Sequence, residues 1–89
     1  MVAKQIFYTG RVQGVGFRFS VKQLAKGFEV QGWAKNMADG RVELQLMGEQ
    51  AEVEEFIEEI AESHLAGFIR ETEQQDISLL ANCVGFSIS

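Results

Sequence analysis

The sequence predicts an α+β fold in which two helices cover one face of an antiparallel sheet. Several short segments alternate apolar with polar residues, the period-2 pattern of strands that bury one face. Two other segments repeat apolar residues every three or four positions, as one face of a helix does. In chain order these segments read β-α-β-β-α-β with a further short strand at the end. That order is typical of the ferredoxin-like βαββαβ sandwich.

The first half of the chain supplies a strand, a helix and a hairpin. We predict the first strand over residues 4–12 and a helix from about 19 to 28. The segments 30–36 and 41–47 are predicted as strands, and Asp39-Gly40 between them is a common hairpin signal because glycine accepts a positive φ. The apolar face of the helix is formed by Phe17, Val21, Leu24, Ala25 and Phe28.

The second half predicts the other helix and two more strands. Residues 49–63 carry an apolar stripe, and the glutamates on the opposite face are expected to be solvated rather than to form a binding surface. Alternation predicts a strand over residues 65–73 and a short last strand around Phe86. Residues 74–80 are ambiguous, with a helical turn as one interpretation, and the pattern predicts no structure for 74–82.

Composition limits the possible functions. A chain of 89 residues forms one small domain without room for a second. A net charge of −5 argues against a nucleic-acid-binding protein. No apolar run approaches the length that spans a bilayer, and no signal peptide is apparent, so we expect no membrane association. A single cysteine fits a reducing compartment, which predicts a cytoplasmic protein. Nothing argues for an obligate oligomer, so we expect a monomer.

A glycine-containing loop between the first strand and the first helix is a candidate anion site. Gly14 and Gly16 permit positive φ, so successive main-chain N–H groups can point inward toward a ligand. The following helix N-terminus adds partial positive charge. Arg18 is suited to two phosphate oxygens, and its charge opposes the helix dipole unless an anion or a salt bridge compensates it. The sequence therefore predicts a phosphate-binding loop.

Asn36, at the end of the predicted second strand, is the second candidate. Its amide has both a donor and an acceptor, so it can orient a water molecule without titrating. Asparagine also commonly caps a turn through its own backbone. Both interpretations stay open on the residues alone.

Other phosphate and metal motifs do not fit. A Walker loop needs Gly-Lys-Ser/Thr where this chain has Gly16-Phe17-Arg18. The dinucleotide pattern fails at Phe19, and a cysteine phosphatase would need a thiol where Val12 stands. One histidine and one cysteine show no metal-ligand spacing. We therefore expect no metal and no cofactor.

Two stretches closely resemble the acylphosphatase family. They are Gly-Arg-Val-Gln-Gly-Val-Gly-Phe-Arg at 10–18 and Gly-Trp-Ala-Lys-Asn-Met-Ala-Asp-Gly-Arg-Val-Glu at 32–43. The resemblance implies a single acylphosphatase-like domain over residues 1–89. It also implies metal-independent hydrolysis of the carboxyl–phosphate bond of acyl phosphates. Residues 63–67 depart from the proline-containing segment common in the family, which puts the shape of that loop in doubt.

The resemblance also implies roles for individual residues. Arg18 would bind phosphate directly, Asn36 would orient the attacking water, and Lys35 occupies a variable position without a role. Inorganic phosphate would be both product and inhibitor. The phosphate would be held by Gln13, Gly14, Val15, Gly16, Phe17 and Arg18.

The chemistry of the two motifs agrees with this activity. Neither contains an evident general acid, so a good leaving group such as a carboxylate is needed, and phosphate monoesters should be poor substrates. Phosphoryl transfer mainly requires positioning and charge stabilisation. The alternative is a non-catalytic ferredoxin-like module that binds a phosphorylated ligand or partner. An RNA-binding sheet is disfavoured because strand 41–47 lacks exposed aromatic residues.

Overall fold

A computed structural model describes residues 1–89 and contains five strands, two α-helices and one 3₁₀ helix. The ferredoxin-like α+β fold is confirmed. The elements are β1 (Val2–Gly10), α1 (Phe17–Ala25), β2 (Val30–Asn36), β3 (Val42–Gly48), α2 (Gln50–Glu62), the 3₁₀ helix (His64–Phe68), β4 (Ile69–Ile77) and β5 (Phe86–Ile88).

The strands lie side by side in the order β4-β1-β3-β2-β5. The first four strands of the chain pair with one another antiparallel, as expected, whereas β5 lies at the edge of the sheet, pairs with β2 in parallel and makes the whole sheet mixed. Because β1, β2 and β5 run in the same direction, their carboxyl ends meet at one edge of the sheet. The loop before α1 begins at that edge.

The apolar stripes of both helices pack on one face of the sheet. Ile6 and Leu44 from the sheet and Phe56 from α2 are fully buried in this core. Burying each such side chain stabilises the fold by about 1.5–3 kcal/mol. The glutamates on the outside of α2 are mostly exposed, as expected, and the half-buried Glu52 accepts a hydrogen bond from the Glu29 N–H at 2.7 Å. Neither α-helix has the length and apolar character of a bilayer-spanning helix.

The predicted strand over residues 65–73 is wrong at its start. Residues 64–68 form the 3₁₀ helix, because the Ser63 hydroxyl accepts the Leu65 N–H at 3.1 Å and begins a turn. The strand runs instead over 69–77, so the ambiguous residues 74–77 are extended rather than helical. Most side chains of β4 are exposed on both faces, and the strand is held by pairing with β1. Residues 11 and 12 lie beyond β1, and α1 ends three residues earlier than expected.

Candidate functional site

A cavity of about 160 Å³ lies where the carboxyl ends of β1, β2 and β5 meet the start of α1. It contains residues of both motifs that the sequence singled out. Larger surface clefts differ in chemistry: one of about 430 Å³ beside Met1 includes Lys4, whose ammonium is paired with Asp76 at 2.6 Å. The cavity is lined by Val12, Gly14, Gly16, Phe17, Arg18, Phe19, Asn36 and Ile88.

The glycine loop has the left-handed φ angles that are typical of an anion nest. Gly14 and Gly16 have φ angles of +78° and +76°, and Val15 between them does not have a positive φ. In a nest, such alternation allows successive N–H groups to face a common centre. A Cβ added at either glycine would meet no atom within 4 Å. Glycine is therefore required here by backbone conformation rather than by lack of space.

Main-chain donors of this loop are not used within the protein backbone. None of the N–H groups of residues 12–16 donates to another main-chain oxygen. The N–H groups in the first turn of α1 add to them, because the first turn of a helix has no preceding turn to accept its bonds. Gly16 is the N-cap and provides no side-chain cap. Such a concentration of donors at a helix N-terminus suits an anion.

Arg18 brings a positive charge to the same cavity. Its guanidinium donates a hydrogen bond to the main-chain oxygen of Ser89 at 2.6 Å. No aspartate or glutamate side chain lies within ion-pair distance of it, so a salt bridge to an acidic side chain is not present. The contact with Ser89 holds the side chain in place and uses only part of its donor capacity. An anion can therefore still bind the remaining donors of the guanidinium.

Asn36 is half-buried at the end of β2, and its Oδ1 atom is buried without a hydrogen-bond partner. The following turn is braced by Asp39, whose carboxylate accepts the Arg41 N–H at 3.1 Å and the Arg41 Nε–H at 2.8 Å. The bond from the Arg41 N–H is the main reason that the pKa of Asp39 lies below its ordinary value. The turn-capping interpretation of Asn36 is therefore not what the structure contains. A buried amide oxygen without a partner costs about 1–3 kcal/mol, so a water that donates to it would be favourable.

Two of the predicted phosphate-binding residues do not line the cavity with their side chains. Gln13 directs its carboxamide to the hairpin, where Nε2 donates to the main-chain oxygens of Met37 and Arg41 at 2.8 and 3.0 Å. Val15 packs against the core. At both positions only the main chain is left to serve a ligand.

The sequence did not indicate Phe19 or Ile88 as residues of the site. Phe19 is 60% exposed and points away from the core, which its position on the helix could have indicated. Ile88 reaches the cavity only because β5 pairs with β2, and no local pattern carries that pairing.

A buried aromatic pair supports the start of α1. The rings of Tyr8 and Phe17 lie 5.3 Å apart, and both side chains are almost completely buried. Burial raises the pKa of the Tyr8 hydroxyl above its ordinary value of 10.0, so this group stays neutral. Packing beneath the loop thus fixes the first turn of the helix that carries Arg18.

Comparisons with known proteins agree with this geometry. The family model described as acylphosphatase matches residues 4–88. An acylphosphatase of Bacillus pumilus is 33% identical over 88 residues, which cover 99% of this chain and 98% of that relative. One of Legionella pneumophila is 52% identical over 50 residues, and this match spans about half of each chain, 56% of this one and 55% of the relative. The crystal structure of acylphosphatase from Bacillus subtilis superposes with a TM-score of 0.89 at 32% identity, covering 100% of this chain and 99% of that one.

Proposed function

The chain belongs to the acylphosphatase family, and we propose that it hydrolyses the carboxyl–phosphate bond of acyl phosphates to a carboxylate and inorganic phosphate, without a metal ion. The observation that carries this proposal is the meeting of three features in one cavity. They are the main-chain donors of the glycine loop, the guanidinium of Arg18, which has no acidic side chain as a partner, and the unpartnered amide oxygen of Asn36.

The phosphoryl group would be held by main-chain N–H groups between Gln13 and Phe17 together with the Arg18 guanidinium. These donors are fixed before the substrate arrives, so they stabilise the charge on the equatorial oxygens without reorganising. Such positioning and charge stabilisation account for most of the catalysis of phosphoryl transfer. The loop amides are neutral donors, so Arg18 is the group that adds a positive charge.

Asn36 would orient the nucleophile. Its Oδ1 accepts a hydrogen bond from a water molecule, and the water oxygen then forms the new bond to phosphorus. The bond between phosphorus and the acyl oxygen breaks, and the carboxylate leaves with the electron pair. The proton of the water passes to the phosphate product or to solvent. A loose transition state needs little deprotonation of the nucleophile, which is consistent with a site that has no evident general base.

The leaving group sets the substrate class. A carboxylate is stable without a proton, whereas an alkoxide needs one from a general acid. Acyl phosphates should therefore be cleaved and alkyl phosphate monoesters should not. Inorganic phosphate, as the product, should compete for the loop. The cytoplasmic location, the monomeric state and the absence of nucleic-acid and membrane partners stay predictions.

Phosphate release from benzoyl phosphate in the presence of a chelator tests the proposal. We expect steady turnover that inorganic phosphate inhibits competitively, and no release from an alkyl phosphate monoester under the same conditions. Binding of inorganic phosphate without any turnover of benzoyl phosphate would favour the non-catalytic module instead. Turnover that required an added metal ion would contradict the mechanism.

A further inference from the structure

One side chain joins the two motifs of the site. The Nε2 atom of Gln13 donates to the main-chain oxygens of Met37 and Arg41 at 2.8 and 3.0 Å. Gln13 directly precedes the first glycine of the nest, and Met37 directly follows Asn36. The bonds therefore connect the loop that would hold the phosphate to the residue that would hold the water.

The chemistry of this connection is specific to a carboxamide donor. Its NH₂ group has two hydrogens, and the two acceptors stand on opposite sides of the hairpin, so both hydrogens are used. A glutamate of the same shape has no hydrogen to donate, and it would place negative oxygens against two carbonyl oxygens. A methionine keeps much of the length and volume but neither bond.

The hairpin closes without help from Gln13. The Met37 N–H donates to the Arg41 oxygen at 2.8 Å, the Gly40 N–H donates to the Met37 oxygen at 3.1 Å, and Asp39 braces Arg41. The bonds from Gln13 are thus additional to the turn, and what they add is a fixed distance between the turn and the glycine loop.

We propose that Gln13 is a positioning residue that sets the place of Asn36 relative to the phosphate. This rests on the proposed function, because it concerns the alignment of the water that Asn36 orients with the phosphorus atom. A reacting atom misplaced by about 1 Å can cost about 10²-fold in rate. Loss of the connection should therefore lower the rate of the chemical step and leave phosphate binding largely intact.

Steady-state kinetics of Gln13→Met with benzoyl phosphate test the proposal. We expect kcat to fall by at least tenfold while the inhibition constant of inorganic phosphate changes by less than threefold. Gln45→Met is the matched control: Gln45 is half-buried, donates one side-chain bond to Glu43 at 2.8 Å and lies away from the cavity. The kcat of the Gln45→Met enzyme should stay within twofold of wild type. A Gln13→Met enzyme with wild-type kcat, or with phosphate binding weakened as much as turnover, would overturn the proposal.

A double-mutant cycle separates positioning from a general structural role. If Gln13 acts through Asn36, then Gln13→Met should cost less than twofold further when Asn36→Ala is already present. An equal loss of kcat in both backgrounds would mean that Gln13 acts by another route. Gln13→Leu, which is also uncharged and keeps neither bond, provides a second variant with the same expected kinetics if Gln13→Met does not fold. Failure of both to fold would assign Gln13 to the fold and overturn the positioning role.

An NMR titration with inorganic phosphate needs no turnover, so it distinguishes failure of this inference from failure of the proposed function. In wild type we expect phosphate to shift both the Gly14 and Gly16 main-chain amides and the Asn36 side-chain amide. In Gln13→Met the glycine response should persist and the Asn36 response should fall by more than half. An unchanged Asn36 response would overturn the connection even if the enzyme is active.

Discussion

Two glycine-containing turns lie next to each other at one edge of the sheet and differ in what their main-chain amides do. In the hairpin turn, the N–H groups of Met37, Gly40 and Arg41 all have acceptors within the turn. In the loop over residues 12–16, no N–H group donates to a main-chain oxygen. Glycines have left-handed φ angles in both, so conformation alone does not distinguish them. A turn that uses most of its donors to close itself is structural, and one whose donors have no main-chain acceptor can hold a ligand.

The arginines of the two turns differ in the same way. Arg41 is paired with Asp39 at 2.8 Å, and its guanidinium lies 4.4 Å from the centre of the Phe7 ring. Arg18 donates to the main-chain oxygen of Ser89 and has no acidic side chain as a partner. Arg41 completes the hairpin, whereas Arg18 keeps guanidinium donors available for an anion.

Removing the guanidinium of Arg18 should have the largest effect. Charge-assisted hydrogen bonds contribute about 1.5–3 kcal/mol, so Arg18→Ala should weaken inhibition by inorganic phosphate by roughly 10–150-fold and nearly abolish turnover of benzoyl phosphate. Arg70→Ala removes an exposed arginine on β4 that has no ion pair, and both quantities should stay near wild type. Equal effects of Arg18→Ala and Arg70→Ala would contradict the distinction between the arginines, since phosphate binding would then depend only on the net charge of the protein.

Removing the water-orienting amide should have the next largest effect. Asn36→Ala should lower kcat by about 10²-fold, because the water loses its orientation. Inhibition by inorganic phosphate should change by less than threefold, since the loop donors are intact. Measuring both constants on the same preparation checks the prediction. Turnover at the wild-type rate would remove Asn36 from the mechanism.

The same substitution in each turn sharpens the contrast. Gly16 and Gly40 have φ angles of +76° and +94°, so alanine should destabilise either position by about 1–2 kcal/mol in urea unfolding. Only Gly16→Ala should also weaken phosphate inhibition, because the Gly16 N–H has no main-chain acceptor whereas the Gly40 N–H donates to the Met37 oxygen. If Gly40→Ala weakened inhibition equally, the hairpin would share in binding the anion.

Acidification should have the smallest effect, and it should act on the stability of the hairpin turn. The Arg41 N–H bond lowers the folded-state pKa of Asp39 below its ordinary value of 3.8. Asp39 therefore contributes stability above the ordinary pKa, and this contribution disappears as the pH falls through the lower folded-state pKa. The difference in urea midpoint between wild type and Asp39→Asn should shrink over that range. A difference that grew on acidification would contradict the assigned direction.

Local signals in the sequence predicted much of the fold and both motifs. The conformations of Gly14, Gly16 and the Asp39-Gly40 turn depend on neighbours along the chain. They could therefore be predicted from the sequence. The sequence did not show whether Asn36 caps the turn. In the structure the Asp39 carboxylate braces the turn instead, because it accepts hydrogen bonds from the Arg41 N–H and Nε–H.

Features that depend on distant partners were missed. The second half of β4, residues 74–77, was left ambiguous because it has no apolar alternation, and it is extended through pairing with β1. Ile88 and Ser89 reach the site through the pairing of β5 with β2. The side-chain bonds of Gln13 span 24 and 28 residues, so no spacing in the sequence indicated that its carboxamide faces the hairpin.

The bond between Arg18 and Ser89 joins residues 71 positions apart in the chain. The last strand is also tied to β2 by the bond from the Gly32 N–H to Gly85 and the bond from the Ser89 N–H to Ala34, at 2.9 and 2.8 Å. During synthesis the ribosome makes the glycine loop long before Ile88, which lines its cavity, and Ser89, which holds Arg18. Anion affinity should therefore arise only when the whole sheet has assembled, which makes it a late marker of maturation for the newly made polypeptide.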